Sequence, residues 1–228
     1  MNFDYFHNIY KDIYLPKDSK TTHATQLLAW YIKPSRGIKN VLEIGSGSGY
    51  ISIYLAKKFP HLNIHGIEID REETKLFEMG TKMNNLSNVS IINNDVLCED
   101  FLKKMDKYDM IVSNPPHYIE PGILSKNEKR ITERSFKKSE FERFICSMKK
   151  VLKNKGVFYL VIHPRDSIYW FSELLKNNLG IHRMRFVHGK PEKQAQLILI
   201  KGVKNSNSNV VVEPAIFLES GDNSVRNV

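Results

Sequence analysis

Five residues constrain this chain more than any others: Gly45-Ser46-Gly47-Ser48-Gly49, set between an apolar run and an amphipathic one. Residues 40–44 read as a short buried strand, and 50–59 as a helix that Pro60 stops. Strand, glycine-rich turn and helix in direct succession let backbone approach a ligand and aim helix N–H groups at it. The glycines fall as G-x-G-x-G, and Tyr50 stands where a dinucleotide fingerprint would have its third glycine, which counts against NAD or FAD. Glu43, just ahead of the turn, would set negative charge beside a pyrophosphate. A zwitterionic ligand with an ammonium group tolerates it.

Downstream the same alternation repeats. Strands are expected at 63–69, 88–93, 108–113 and 156–163, with helices at 72–84, 99–105, 139–152 and 167–177 between or after them. Upstream, Ser19 is the expected N-cap of an amphipathic helix reaching Lys33, where Pro34 and Gly37 end it. Two strands near 181–187 and 194–203 follow each other without a helix, and 210–218 adds a β extension. The pattern predicts an α/β fold, a mainly parallel sheet with helices on both faces and one antiparallel edge. Such sheets bind ligands at the carboxyl ends of their strands. The polar residues at 43–49, 68–70, 94–95 and 113–118 all fall there.

Among these, Glu68 ends the second strand 19 residues after Gly49, the spacing of an acid that binds ribose hydroxyls. Asp95 ends the third and is placed to accept from an adenine amino group. The fourth ends in Ser113-Asn114-Pro115-Pro116-His117-Tyr118. Two prolines fix φ near −65° and donate no N–H, so the turn is stiff and offers acceptors. The Asn114 amide oxygen and the Pro115 carbonyl suit a planar NH2 group. Accepting both of its hydrogens frees a lone pair otherwise delocalised into a ring or amide, and stabilises the positive charge that develops on nitrogen.

Composition narrows the setting. A length of 228 residues fits one α/β domain with a small appendage, and 41% hydrophobic with 26% charged residues suits a globular protein. No apolar run reaches the ~20 residues a membrane helix needs, and the first residues show no secretory signal. Cys98 and Cys146 lack metal-ligand spacing and are expected to be reduced, partly buried thiols in a cytoplasmic protein. Net charge is +9, and between Lys137 and Lys193 thirteen Lys or Arg face five Asp or Glu. That distribution favours a polyanionic partner over a neutral one, although solvated helix faces account for such charge equally well.

Val41-Leu42-Glu43-Ile44-Gly45-Ser46-Gly47-Ser48-Gly49, then Glu68, Asp95 and Asn114-Pro115-Pro116, together resemble the class I S-adenosylmethionine-dependent methyltransferases, over residues 40–200. The Asn-Pro-Pro turn is similar to that of the amino-methylating branch. The layout after it, with Asn127, Arg130, Arg134, Arg183-Met184-Arg185 and Glu213-Pro214, resembles the bacterial tRNA adenine-N6 methyltransferases. The resemblance implies a Rossmann-like, seven-stranded sheet over residues 39–204. Residues 1–38 are expected to pack on the cofactor site, and 205–228 to form a β extension and tail.

S-adenosylmethionine is the implied cofactor, held by Glu43, Gly45, Gly47, Gly49, Glu68, Ile69, Asp95, Val96 and Asn114. Catalysis is implied for Asn114, Pro115, Pro116, His117 and Tyr118, the last two as rings that stack on a flipped base. Arg130, Arg134, Arg183, Arg185 and Lys190 are expected to meet phosphates. RNA, tRNA first, is the expected partner of a monomer or weak homodimer that needs no metal. A release-factor glutamine amide and guanine N2 of ribosomal RNA are the alternative substrates. The chain departs from the family pattern at His117, where Tyr is usual. It departs again at Ala24 and Thr25, where an acidic residue is expected before Leu27-Leu28-Ala29.

Overall fold

The structure, a computed structural model, describes residues 13–116, 118–119 and 135–218. Helix α1 (His23–Tyr31) precedes β1 (Asn40–Ile44) and α2 (Tyr50–Lys58). Next come β2 (Asn63–Glu68), α3 (Arg71–Met83), β3 (Val89–Asn93), the single turn α4 (Glu99–Leu102) and β4 (Tyr108–Ser113). Two short strands, β5 (Tyr118–Ile119) and β6 (Ser135–Phe136), pair in parallel beside the main sheet. The chain continues through α5 (Lys138–Val151), β7 (Leu152–Ile162), α6 (Ser167–Lys176), β8 (Leu179–His188), β9 (Ala195–Lys204) and β10 (Val211–Phe217).

The sheet has eight strands in the order β3-β2-β1-β4-β7-β9-β8-β10. Strands β3 to β7 in this order are mutually parallel. The sequence predicts seven strands with the antiparallel one at the edge; instead β9 is interior, antiparallel to both β7 and β8. Strand β8 lies one strand's width away from β7, and β9 turns back to fill the gap. Strand β10 then takes the open side of β8 in parallel. Among the described residues β10 is thus the outermost strand of this half.

Each face of the sheet carries its own core. Leu27, Leu28 and Ile51 of α1 and α2 pack on Val41, Met110, Val112, Tyr159 and Leu199. On the other face Phe141, Phe144 and Ile145 of α5 and Trp170 of α6 pack on Leu42, Ile111, Phe158 and Leu160. Alternate residues of β1, β4 and β7 thus serve opposite cores, as a two-sided sheet requires.

Three local expectations differ. The first helix starts at His23, because Thr22 and not Ser19 caps it, its hydroxyl accepting from Thr25 N at 3.2 Å. Strand β7 begins at Leu152, four residues early, through a bulge at Lys155 (φ 58°) that shifts the register against β4. Both cysteines are exposed, not partly buried, because Cys98 stands in the turn before α4 and Cys146 on the outer side of α5. Between β5 and β6, residues 120–134 lie outside the described residues.

Candidate active site

Chain order reverses direction between β1 and β4: β2 and β3 step to one side, β4 and β7 to the other. Ligand clefts open at such a point, where successive loops diverge. Here the carboxyl ends of β1 to β4 surround a cavity of about 580 Å³, well inside the 300–1,000 Å³ of small-molecule sites. Ile44 and Gly45, Glu68 and Ile69, Asp95 and Val96, and Ser113 to Pro116 all line it. Four separate strand ends predicted from the sequence are therefore brought together.

The glycine turn is held from below. Gly45 N and Ser46 N both donate to Ile67 O, at 2.9 and 3.1 Å. All three glycines have positive φ, and a Cβ on Gly49 would overlap the Phe77 ring. Gly45 lines the cavity, whereas Gly47 and Gly49 shape the turn from outside its wall. Glu68 fixes the turn further: Oε2 accepts from Gly47 N at 2.8 Å and Oε1 from Asp70 N at 2.9 Å. Asp95 Oδ1 accepts from Leu97 N at 2.7 Å. Glu68, Asp95 and Glu140 face the cavity, and among the described residues neither Lys nor Arg lines it.

Glu43 is elsewhere. Only 3% exposed, it is absent from the cavity wall, and its Oε2 accepts from Ser52 N at 2.9 Å and from the Ser52 hydroxyl. Burial pushes its carboxyl up to about 8, against the lowering effect of those two bonds. Its structural task is to tie the end of β1 to the first turn of α2, which aims the turn between them.

The decisive atom is Asn114 Oδ1. It is buried within the described structure without a hydrogen-bond partner, and Asn114 lines the cavity. A buried acceptor left unpaired costs ~1–3 kcal/mol, a penalty that a donor group entering the cavity would remove. The other end of the amide is held: Nδ2 donates to Thr25 Oγ1 at 2.9 Å, and Thr25 Oγ1 lies 2.9 Å from Thr22 Oγ1. The N-cap of α1 thereby sets which face of the Asn114 amide meets the cavity. Sequence reasoning noted Thr25 only as a missing acid; the signal was that a hydroxyl stood where a carboxylate was expected.

Also unforeseen are Phe136, Glu140 and Phe144, which close the cavity opposite the glycine turn. Phe136 reaches it because β6 pairs with β5, and its ring packs 5.2 Å from that of Phe144. Ile119 N donates to the buried Asp166 carboxylate at 3.2 Å, which anchors the chain leaving the Pro-Pro turn to the start of α6. His117, Arg130 and Arg134 lie outside the described residues, and the Tyr118 side chain is likewise not described. Arg183 and Arg185 lie far from this wall, in a second cavity, and Lys190 sits in the turn between β8 and β9.

The sequence profile of the methyltransferase small domain family matches residues 18–184. The chain belongs to that family. A tRNA1(Val) (adenine(37)-N6)-methyltransferase of Proteus mirabilis is 31% identical over 142 residues, 62% of this chain and 55% of its own length. The release factor glutamine methyltransferase of Fusobacterium nucleatum is 41% identical over 89 residues, covering 39% of this chain and 23% of its own. Among solved structures, a predicted O-methyltransferase of Agrobacterium tumefaciens superposes with a TM-score of 0.69 at 15% identity, over 88% of this chain and 90% of that one. The matched stretch thus spans about half of the Proteus relative. The fold is the Rossmann-like class I methyltransferase fold, and the methyl donor of this class is S-adenosylmethionine.

The donor set suits that cofactor: two strand-end carboxylates for hydroxyls and an amino group, negative charge nearby for a sulfonium, and no opposing cation among the described lining residues. No helix among the described residues is long and apolar enough to cross a membrane.

Proposed function

We propose that the protein is an N-methyltransferase acting on the exocyclic amine of a nucleobase, adenine N6 in tRNA. One observation carries the transfer to an amine: the unpartnered, buried oxygen of Asn114 in the cavity wall. A hydroxyl substrate would offer one hydrogen to this rim. A planar NH2 offers two, which matches an amide oxygen beside the carbonyl of a stiff Pro-Pro turn.

On this reading Glu68 holds the ribose hydroxyls of the cofactor and Asp95 its adenine amino group. Ile69, Val96 and Leu97 supply apolar walls for the ring. Bound S-adenosylmethionine supplies an activated methyl on sulfur, so the chain's own task is to align the two reactants. Asn114 accepts one hydrogen of the target amine and Pro115 O the other, which stabilises the charge that grows on nitrogen. Thr25 and Thr22 keep the Asn114 oxygen facing inward while this happens. Phe136 and Phe144 exclude water from the side opposite the glycine turn. None of these residues has to act as a strong base, because the proton leaves an amine already made acidic by methylation.

RNA is favoured as substrate by the basic stretch 137–193 and by the tRNA-methylating activity named for the Proteus relative. Such a substrate belongs in the cytoplasm. A glutamine amide in a protein has the 41% identical stretch on its side, and the same rim suits it. Tritium-methyl transfer from S-adenosylmethionine to separate tRNA, ribosomal RNA and release-factor pools, followed by nucleoside analysis, decides between them. The expected product is N6-methyladenosine in tRNA; label in protein alone overturns the RNA reading.

A further inference from the structure

A second cavity of about 580 Å³ opens on the α1 side of the sheet, beyond the end of that helix. Its walls come from strand faces, not strand ends. Arg183 and Arg185 project from β8, Lys201 from β9, and Lys33 from the segment after α1. Four cations therefore meet one carboxylate, Glu213 of β10. The Glu213 charge is already engaged, by Arg183 at 3.0 Å. Arg185 donates Nε to Pro214 O at 2.8 Å and lays its guanidinium 5.3 Å from the centre of the Trp30 ring. The Lys201 ammonium sits 5.5 Å above the Tyr159 ring.

Both arginines are thus held in place, Arg183 by the one carboxylate and Arg185 by a carbonyl and a ring that leave its positive charge uncancelled, so the cavity keeps a surplus of three cations over its lining acid. Burial and the Arg183 guanidinium lower the Lys201 ammonium's pKa, with Glu213 opposing. A site that crowds cations this way gains most from a bound anion. Aromatic walls beside them add a flat surface of the kind that accompanies nucleic-acid backbones in binding grooves.

Placement joins this cavity to the first. Thr25 near the start of α1 holds Asn114, and Trp30 and Tyr31 at its end line the basic cavity. A nine-residue helix is about 13 Å long. The two cavities therefore lie at opposite ends of α1, with Thr22 lining the first and Trp30 and Tyr31 the second.

We infer that the cavity of Lys33, Arg183, Arg185 and Lys201 binds the phosphodiester backbone of the RNA whose target base enters the first cavity. This rests on the RNA reading above. It goes beyond that reading by assigning the strand's second point of attachment to the sheet face behind α1.

The test is fluorescence anisotropy with a labelled RNA hairpin across a range of salt concentrations. Lys33→Gln, at an exposed position, is expected to weaken binding about threefold and to lower the salt slope by about one. Adding Lys201→Gln should bring the loss to about tenfold or more, with the thermal shift produced by S-adenosylmethionine unchanged. Failure of the wild type to bind the hairpin, or equal affinity and slope in wild type and both variants, overturns the inference. Equal binding together with methylated RNA would remove this cavity and leave the proposed substrate standing. The expected losses in RNA binding, with methyl label in protein alone, would keep the cavity and remove the substrate.

Discussion

The two cavities enclose the same volume, about 580 Å³, and are built in opposite ways. The first is made of strand ends. Its polar atoms are fixed by parallel pairing of β1 with β2 and β4, and its charge is negative. The second is made of long side chains on the faces of β8 and β9, and its charge is positive. Backbone-fixed atoms stay in place when a ligand arrives, which suits preorganised chemistry. Lysine and arginine ends gain from screening and counterion release, which suits affinity that varies with salt. Substitutions in the first should therefore appear in turnover, and substitutions in the second in binding.

Asn114→Ala puts the largest strain on that contrast. Removing the unpartnered Asn114 acceptor from the cavity wall should lower methyl transfer by about a hundredfold to a thousandfold, the range seen when a single preorganised partner of a transition state is lost. The thermal shift given by S-adenosylmethionine should persist, and RNA affinity and its salt slope should match the wild type. A near-normal single-turnover rate would refute the amine grip. A change in salt slope would mean that the cavities are not separate in function.

Much of the first cavity was legible in the sequence because strand–helix alternation alone forces the ends of β1 to β4 onto one edge. Gly45, then Glu68, Asp95 and Asn114, could be placed on its wall without knowing a single contact, with Gly47 and Gly49 in the turn behind it. Glu43 misled for a physical reason: an acid near a glycine turn looks the same in sequence whether it points up at a ligand or down at Ser52. Phe136 was out of reach, since it arrives through the β5–β6 pairing of two-residue strands that carry no periodicity; Glu140 and Phe144 sit on a helix that was legible, but its docking against the strand ends was not. The interior position of β9 was equally hidden. Two consecutive strands without a helix fix antiparallel pairing, but not which of them sits next to β7.

Thr25 lies between the two cavities and should give an intermediate effect. Thr25→Val keeps the shape and removes the acceptor for Asn114 Nδ2, so the amide is free to present its NH2 group to the cavity. Turnover is expected to fall about tenfold while the KM for S-adenosylmethionine holds. Thr25→Ser should restore most of the rate. If Thr25 matters only for capping or packing α1, the serine variant will lose as much as the valine one, in melting temperature and not in turnover.

Glu43→Gln should change turnover least, and it tests whether the acidity of the first cavity comes from its lining carboxylates alone. The wild-type carboxyl ionises near 4.5 when unfolded and at about 8 in the fold. Between those values the folded state holds a proton that the unfolded state has released, so stability falls as pH rises across the window and levels off above it. Below pH 4.5 the penalty is absent. Glutamine carries no charge at any of these values and its amide oxygen still accepts from Ser52 N. The melting temperature of the variant should therefore gain on the wild type from pH 5 to pH 8, by several degrees at the upper end, with turnover at pH 7 within about twofold. A constant gap across that range would place the Glu43 charge in contact with water or ligand, and it would return this residue to the cavity wall.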